Sequence, residues 1–313
     1  MAANFLSYLR LPVMASSALA AVASSLLYFK QNDLIYPRNI PPGSRTEVPQ
    51  PSDYDLPNAE SLNIDTPDNE RLHAYLLRPS KPELQKNVTM LMFHGNAGNV
   101  GHRLPIGKVL AESLGCNVLM VEYRGYGLST GTPDEEGINT DAQTTLDYIR
   151  RRAELENTKL VIYGQSLGGA VAIKLTAVNQ QRGCIAGLIL ENTFTSIRQL
   201  IPTAFPPAKY LAGLCHQYWR SDETIAAIQP KIPVLFLSGL RDEIVPASMM
   251  EKLRELCTSE SKTWKTFPNG HHNDTVGEPG YFEAVWDFLF QEVRPPKLSP
   301  TAPVDVPQGE LWS

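Results

Sequence analysis

The stretch LVIYGQSLGG, residues 160–169, places Ser166 between Gly164 and Gly168 at the end of an apolar run. Residues 160–163 are typical of a buried strand, and residues 170–178, rich in Ala, Ile and Leu, predict a helix. The sequence therefore predicts a strand, a sharp turn that carries the serine, and a helix. A serine flanked by glycines is weak evidence on its own, so its meaning depends on the rest of the chain.

The composition predicts one α/β domain with short additional segments. The chain has 313 residues, of which 42% are hydrophobic, and this is enough for a large core. Its formal charge is -5 and it has no basic block, so we expect no nucleic-acid partner. The four cysteines form no CxxC pair and no His-Cys cluster, which indicates neither a disulfide framework nor a zinc site.

Strand signals alternate with helix signals along the chain. Apolar, β-rich runs occur at 74–77, 88–93, 118–123, 160–163, 187–190, 234–237 and 263–267. Helical patterns occur at about 103–114, 134–153, 168–180, 248–257 and 279–291. This alternation predicts an α/β fold with a mostly parallel sheet and helices on both faces.

In such sheets, functional residues gather at the carboxyl ends of the strands. Stretches with chemically useful side chains follow the predicted strands: HGNAG (94–98), YRGYG (123–127), GQSLG (164–168), ENTF (191–194) and RDEIVP (241–246). At the GQSLG turn, the glycines would let the backbone bend and expose the hydroxyl of Ser166. A serine hydroxyl becomes a good nucleophile only when a histidine takes its proton and a carboxylate holds that histidine. The expected chain order is serine, acid, histidine.

Three histidines follow Ser166. His216 lies in LCHQYW, within a predicted helical insert and away from any strand end, so we interpret it as structural. His271 and His272 follow the last predicted strand and the turn residues 268–270. Adjacent residues in a loop point in different directions, so only one of the two can be the base, and the spacing does not choose between them.

The carboxylates that satisfy the order are Glu191, Asp222, Asp242 and Glu243. Asp242 follows VLFLSGL at the carboxyl end of a predicted strand, and residues 244–246 would shield it from water. We therefore predict Asp242 as the acid, with Glu191 as the alternative. Asp222 has the character of an ordinary residue near the amino end of a helix.

Acyl transfer also needs two backbone N–H groups directed at the attacked carbonyl oxygen, the oxyanion hole. We expect the N–H of Leu167, directly after the serine, to be one donor. The N–H of Asn96, in the HGNAG loop, is the expected second donor. His94 precedes Ser166 and would be out of order as a base, so we expect it to brace this loop.

Taken together, FHGNAGN, EYRGYGLSTGTP, YGQSLGG, SGLRDEIVP and GHHNDT resemble the α/β-hydrolase fold, in particular the bud-emergence-type membrane-anchored serine hydrolases and the related α/β-hydrolase-domain-containing proteins. The resemblance covers roughly residues 60–292. It implies Ser166 as nucleophile, Asp242 as acid and His272 as base, the last because His272 directly precedes the Asn-Asp-Thr stretch. It also implies a short cap at about 194–230, hydrophobic enough to line an acyl pocket or simply to pack.

The chain before the predicted domain contains LPVMASSALAAVASSLLYF, residues 11–29, without a charged side chain. As a helix it approaches the thickness of a bilayer core, so we predict a membrane anchor within residues 1–30. A cleaved secretory signal is the alternative, because residues 21–23 resemble a cleavage site. Its orientation stays open. We expect a single-pass protein of the endoplasmic reticulum or another endomembrane.

The remaining segments complete the predicted organisation. Residues 31–58 are expected to be an irregular lead-in, residues 59–292 the α/β-hydrolase domain, and residues 293–313 a disordered, proline-rich tail.

The leading hypothesis is a membrane-anchored serine hydrolase that cleaves carboxylic esters or thioesters through an acyl-enzyme and needs no cofactor or metal. The family suggests lipids, lysolipids or acylated proteins as substrates. The alternatives are a catalytically silent scaffold with the same fold, or a serine peptidase. The oligomeric state stays open.

Overall fold

A computed structural model describes residues 27–81, 83 and 85–293, together with residues 14, 21, 22, 24 and 25. Much of the predicted membrane anchor and the predicted tail beyond residue 293 lie outside the described residues. Within the part of the chain that is described, no helix is both long enough and apolar enough to cross a membrane.

An eight-stranded sheet with the order β1-β2-β4-β3-β5-β6-β7-β8 forms the centre of the fold. Its strands are β1 (Glu60–Asp65), β2 (Arg71–Leu77), β3 (Val88–Phe93), β4 (Asn117–Val121), β5 (Lys159–Gln165), β6 (Ile185–Glu191), β7 (Val234–Gly239) and β8 (Lys262–Phe267). Strand β2 pairs antiparallel with β1 and β4, and the other neighbouring pairs are parallel. The carboxyl ends of β3 to β8 therefore meet at one edge.

The α-helices are α1 (residues 27–35), α2 (Leu104–Lys108), α3 (Glu135–Arg151), α4 (Leu167–Asn179), α5 (Ile197–Ala204), α6 (Ser221–Ile225), α7 (Ala247–Leu256) and α8 (Tyr281–Phe288). Short 3-10 helices lie at Pro51–Tyr54, Val100–Arg103, Gln180–Arg182, Pro206–Leu214 and Thr275–Gly277. Single π-turns at Val109–Ser113 and Leu289–Val293 extend α2 and α8.

Both faces of the sheet are buried, which explains why its central strands are apolar without interruption. Alternate residues of the central strands face opposite sides: Leu91 and Ile162 belong to one core, and Met90 and Val161 to the other. Helices α3, α4, α6 and α7 contribute to the first core, and α2 and α8 to the second. The prediction of a mostly parallel sheet covered on both faces is confirmed.

Two elements were not predicted. Strand β1 (sequence ESLNID) is mostly polar and half-exposed, because it lies at the edge of the sheet and pairs with β2 alone. Residues 31–35 (QNDLI), expected to be irregular, continue α1, where the Gln31 side chain contacts the carbonyl of Leu214 and the ring of His216, a long-range contact that local sequence does not reveal. The region expected to form a cap contains α5, the 3-10 helix Pro206–Leu214 and α6.

Candidate active site

Ser166 lies in the turn between β5 and α4, at the carboxyl edge of the sheet. Its backbone has φ 53° and ψ -117°, a conformation that residues with a side chain rarely adopt. Residues at and just after the end of β6 hold this turn. The N–H of Ser166 donates to the Glu191 carbonyl at 2.9 Å, and the Thr193 hydroxyl donates to the Ser166 carbonyl at 2.6 Å. The strained serine is thus fixed by contacts outside its own turn.

The glycines around Ser166 permit close backbone approaches. A Cβ atom on Gly164 would lie 2.1 Å from the carbonyl oxygen of Gly168, and one on Gly168 would lie 2.1 Å from the carbonyl oxygen of Phe93. Since side chains cannot fit at these distances, the two glycines bring β5, α4 and the end of β3 together.

His272 and Asp242 reach Ser166 from the loops after β8 and β7. Nε2 of His272 lies 3.0 Å from Oγ of Ser166, and Nδ1 of His272 lies 2.8 Å from Oδ2 of Asp242. Oδ1 of Asp242 accepts the backbone N–H groups of Ile244 and Val245 at 2.9 and 2.7 Å. The structure therefore brings together the serine, histidine and carboxylate that the sequence groups.

This arrangement suits transfer of a proton from the serine to the ring. The Asp242 side chain is only 1% exposed and His272 is buried, so water scarcely competes for their contact. A neutral ring with its proton on Nδ1 donates to Asp242 and leaves Nε2 free to accept the Ser166 hydroxyl. A proton taken up at Nε2 would make the ring cationic beside the buried carboxylate, which stabilises that charge.

The other two candidate histidines lie elsewhere. Nδ1 of His271 lies 3.2 Å from the exposed Glu243 carboxylate, and the His271 side chain is itself exposed. Nδ1 of His216 lies 2.6 Å from Nε2 of Gln31 in α1. The structure thus brings neither His271 nor His216 to Ser166.

Glu191, the alternative acid, lies at the end of β6 and is fully buried. It accepts hydrogen bonds from the hydroxyls of Tyr163 and Tyr281, and from the amide of Gln165 at 3.3 Å. Burial raises the pKa of Glu191 above its ordinary value, an effect opposed by the two tyrosine hydroxyls. None of these hydrogen bonds involves the ring of His272. Glu191 is connected to His272 only indirectly, because the amide of Gln165 also donates to the His272 carbonyl at 3.4 Å.

Asn192 is a residue of the site that sequence reasoning missed. Its side-chain NH₂ donates to the carbonyls of His271 and His272 at 3.2 and 3.3 Å, and to the Thr275 hydroxyl at 2.9 Å. Its side-chain oxygen accepts the N–H of Gly239, where β7 ends. Asn192 therefore fixes the histidine loop relative to the ends of β6 and β7. The stretch ENTF after a strand was the available signal, but its asparagine was not interpreted.

The two expected oxyanion donors follow strand ends, Leu167 after β5 and Asn96 after β3. Leu167 is the first residue of α4, so its N–H has no acceptor within the helix.

The HGNAG loop that carries Asn96 is supported by a buried pair, in which Nε2 of His94 lies 3.1 Å from Oε1 of Glu122. The Tyr123 hydroxyl also donates to the His94 carbonyl at 2.7 Å. These contacts correspond to the bracing role expected of His94.

The N-terminal segment also holds this loop. The side-chain NH₂ of Asn96 donates to the carbonyl of Ile35 at the end of α1, and its oxygen accepts the hydroxyl of Tyr126 at 2.7 Å. The N–H of Gly98 donates to the carbonyl of Ile40 at 2.7 Å. Residues 35–40 are thus structural neighbours of the candidate site, although they precede β1.

The cap region presents several apolar side chains to solvent. Phe205 and Leu211 are exposed, and Tyr210 is 86% exposed. The base of the cap is fixed to the N-terminal segment, because the Tyr36 hydroxyl donates to Gln217 at 2.7 Å and accepts the Trp219 indole N–H at 2.9 Å. The structure does not place these exposed side chains in an acyl pocket.

A mostly parallel sheet with a strained serine between strand and helix, met by a histidine and an aspartate from later strand ends, defines the class of α/β hydrolases. A comparison with protein families agrees with this class: residues 85–225 match the hydrolase family described as "Serine aminopeptidase, S33". A solved α/β hydrolase from Vibrio vulnificus has the same fold, with a TM-score of 0.67 and 20% identity over 82% of this chain and 91% of that chain.

Two curated relatives cover most of the chain. It is 47% identical to Protein bem46 of Schizosaccharomyces pombe over 277 residues, which are 88% of this chain and 91% of the relative. It is 38% identical to the uncharacterized membrane protein YNL320W of Saccharomyces cerevisiae, over 88% of this chain and 94% of the relative. The chain belongs to the bud-emergence-type family of α/β hydrolases, the family of bem46.

Proposed function

We propose that the chain is a serine hydrolase that cleaves carboxylic ester or thioester bonds through an acyl-enzyme. The observation that carries this proposal is the unbroken set of contacts from Oγ of Ser166 to His272, at 3.0 Å, and from His272 to Asp242, at 2.8 Å. Both distances are those of hydrogen bonds, and the chain order Ser166, Asp242, His272 is that of α/β hydrolases.

In the first half of the reaction, Oγ of Ser166 attacks the carbonyl carbon while its proton passes to Nε2 of His272. The tetrahedral intermediate carries its negative charge on the former carbonyl oxygen. Collapse of the intermediate breaks the bond to the leaving group, which takes the proton from Nε2, and leaves the acyl group on Ser166. Water then attacks the acyl-enzyme, gives a proton to Nε2, and the collapse of the second intermediate releases the acid and reprotonates Ser166.

The backbone N–H groups of Asn96 and Leu167 stabilise the oxyanion in both intermediates. A helix amino terminus at Leu167 adds a favourable dipole to this charge. Loss of one oxyanion donor typically costs about a hundredfold to a thousandfold in rate, so the contacts that hold the Asn96 loop matter for the reaction.

The substrates we propose are lipids, lysolipids or acylated proteins, and the protein is held at an endomembrane by residues 11–29. The uncharged sequence of that segment and the membrane protein of Saccharomyces cerevisiae among the relatives support the tether. Extraction of cell membranes with alkaline carbonate tests it: an anchored chain stays in the pellet, whereas release into the supernatant would contradict the anchor.

The proposed reaction is tested by labelling the full chain with a fluorophosphonate probe, which reacts with activated serines. Wild type and His271→Ala should label, whereas Ser166→Ala and His272→Ala should not. His271→Ala is the matched control, because it removes the neighbouring imidazole, which pairs with Glu243 instead. A folded wild type that does not label would support a silent scaffold instead.

A peptidase is the second candidate, because the description of the matching family names an aminopeptidase. Paired ester and amide substrates with the same acyl group separate the two. We expect hydrolysis of the ester; hydrolysis of aminoacyl amides at comparable kcat/KM would favour the peptidase.

A further inference from the structure

Arg103 and Ser166 both lie close to Gly95 in the HGNAG loop. A methyl group built on Gly95 would lie 3.8 Å from Nη2 of Arg103 and 3.7 Å from Cβ of Ser166. Outside Gly95 and its chain neighbours, the nearest atom to that position is Oε1 of Gln165 at 3.3 Å. The guanidinium of Arg103 and the side chain of Ser166 therefore approach the same point beside Gly95.

The guanidinium of Arg103 is not satisfied by the described part of the chain. Its Nε is buried and has no hydrogen-bond partner there, and no carboxylate oxygen of the described residues lies within 4.0 Å of its nitrogens. Arg124, the arginine after β4, is by contrast bound by the carboxylates of Asp68 and Asp141 at 2.7 and 2.8 Å. A buried N–H donor without an acceptor is costly, which is why such groups are normally paired.

Glu191 balances part of the Arg103 charge without binding it. Burial lowers the pKa of Arg103 below its ordinary value, and the negative charge of Glu191 opposes this shift. The Glu191 oxygens already accept from Tyr163, Tyr281 and Gln165. The donors of Arg103 therefore remain available to a ligand that enters beside Ser166.

We propose that Arg103 binds an anionic group of the substrate, a carboxylate or a phosphate, located a few bonds from the scissile carbonyl. Both groups match the planar fork of a guanidinium, which can bind two of their oxygens at once. The closeness of Arg103 and Ser166 to the same point beside Gly95 limits the separation of the two substrate groups. This inference rests on the proposed serine hydrolase reaction and names the substrate class that the site selects.

The test compares kcat/KM of the full chain for two matched pairs of esters. On the acyl side, the para-nitrophenyl ester of succinate with a free carboxylate is compared with the same ester whose other carboxyl is methylated. On the alcohol side, lysophosphatidic acid is compared with the monoacylglycerol of the same acyl chain. The first pair reports a carboxylate and the second a phosphate.

Wild type should prefer the anionic member of at least one pair by about tenfold or more, the scale of a charge-assisted contact. Arg103→Gln should abolish that preference while hydrolysis of the neutral ester continues. Arg103→Lys, which keeps the charge and loses the fork, should retain part of it. Arg182→Gln is the matched control, because Arg182 is exposed on the 3-10 helix after α4 and pairs with Asp147.

Different failures have different meanings. Hydrolysis of neutral and anionic esters at equal kcat/KM by wild type would overturn the subsite and leave the hydrolase reaction standing. Hydrolysis of no ester by a folded wild type would overturn both. If Arg103→Gln lowers kcat/KM equally for the anionic and the neutral ester of a pair, the subsite is also overturned, because Arg103 would then act on a feature common to all substrates. If Arg103→Gln does not fold, an unchanged preference in Arg103→Lys overturns it.

Discussion

The ends of β6 and β7 each carry a carboxylate at the same edge of the sheet, and the two side chains have different partners. Asp242, after β7, contacts the ring of His272 at 2.8 Å and accepts two backbone N–H groups. Glu191, at the end of β6, accepts from two tyrosine hydroxyls and from Gln165. A position at a strand end therefore makes a carboxylate a candidate for the catalytic acid. The hydrogen-bond partners of the carboxylate determine whether it can take that role.

The largest effect is expected for Asp242→Asn. The amide can donate to Nδ1 of His272, which would favour the tautomer with its proton on Nε2, and this tautomer cannot accept the Ser166 proton. We expect kcat on a short-chain ester to fall about a thousandfold to ten-thousandfold, as in other serine hydrolases that lose this carboxylate. Circular dichroism serves as the control for folding. A fall in kcat of less than about tenfold would contradict the role of Asp242 as the acid and would favour Glu191 instead.

Glu191→Gln should have a smaller effect on activity and a pH-dependent effect on stability. A raised pKa in the folded protein means that the folded state binds the Glu191 proton more tightly than the unfolded state. The contribution of the Glu191 carboxyl to the free energy of unfolding is fully present below about pH 4.5. It is lost as pH rises through the raised pKa of the folded state. Wild type should therefore lose stability relative to Glu191→Gln as pH rises above about 4.5.

Urea unfolding of both proteins across that pH range measures the difference. If the difference in free energy of unfolding between wild type and Glu191→Gln does not change with pH, the pKa of Glu191 is not raised in the folded protein. The kcat of Glu191→Gln should stay within about tenfold of wild type, because Glu191 makes no hydrogen bond to the His272 ring and its loss removes only a longer-range charge.

The smallest effect is expected for His271→Ala. The His271 ring pairs with the exposed Glu243, and exposed pairs contribute at most about 1 kcal/mol. Both kcat/KM on a short-chain ester and the free energy of unfolding should therefore remain close to wild type. A loss of activity comparable with that of His272→Ala would mean that the two adjacent histidines exchange roles during the reaction.

The sequence predicted the central strands and most helices because long apolar runs and helical periodicity are local signals. It missed β1, whose half-exposed edge position leaves its polar side chains in water. Likewise, chain order and strand ends grouped Ser166 with its acid and histidine candidates. Spacing alone could not choose between His271 and His272, because loop conformation decides which ring turns toward the serine.

The contacts that hold the site were beyond prediction because they join distant parts of the chain. Asn192 binds the histidine loop about eighty residues later, and Asn96 binds a carbonyl sixty-one residues earlier. No local pattern encodes either contact. The Nε of Arg103, which has no partner among the described residues, has no sequence signature either, since pairing depends on where acceptors lie in space.

The carbonyls of Ile35 and Ile40, which hold the Asn96 side chain and the Gly98 N–H, make the HGNAG loop dependent on where the amino end of the chain is cut by a protease. A cut before α1 would release a fragment that keeps both carbonyls. A cut after Ile40 would release one that retains Ser166, Asp242 and His272 but has lost both acceptors, so we expect its HGNAG loop to relax. The position of a single cleavage would thus decide whether a released fragment is an active hydrolase or an inactive one.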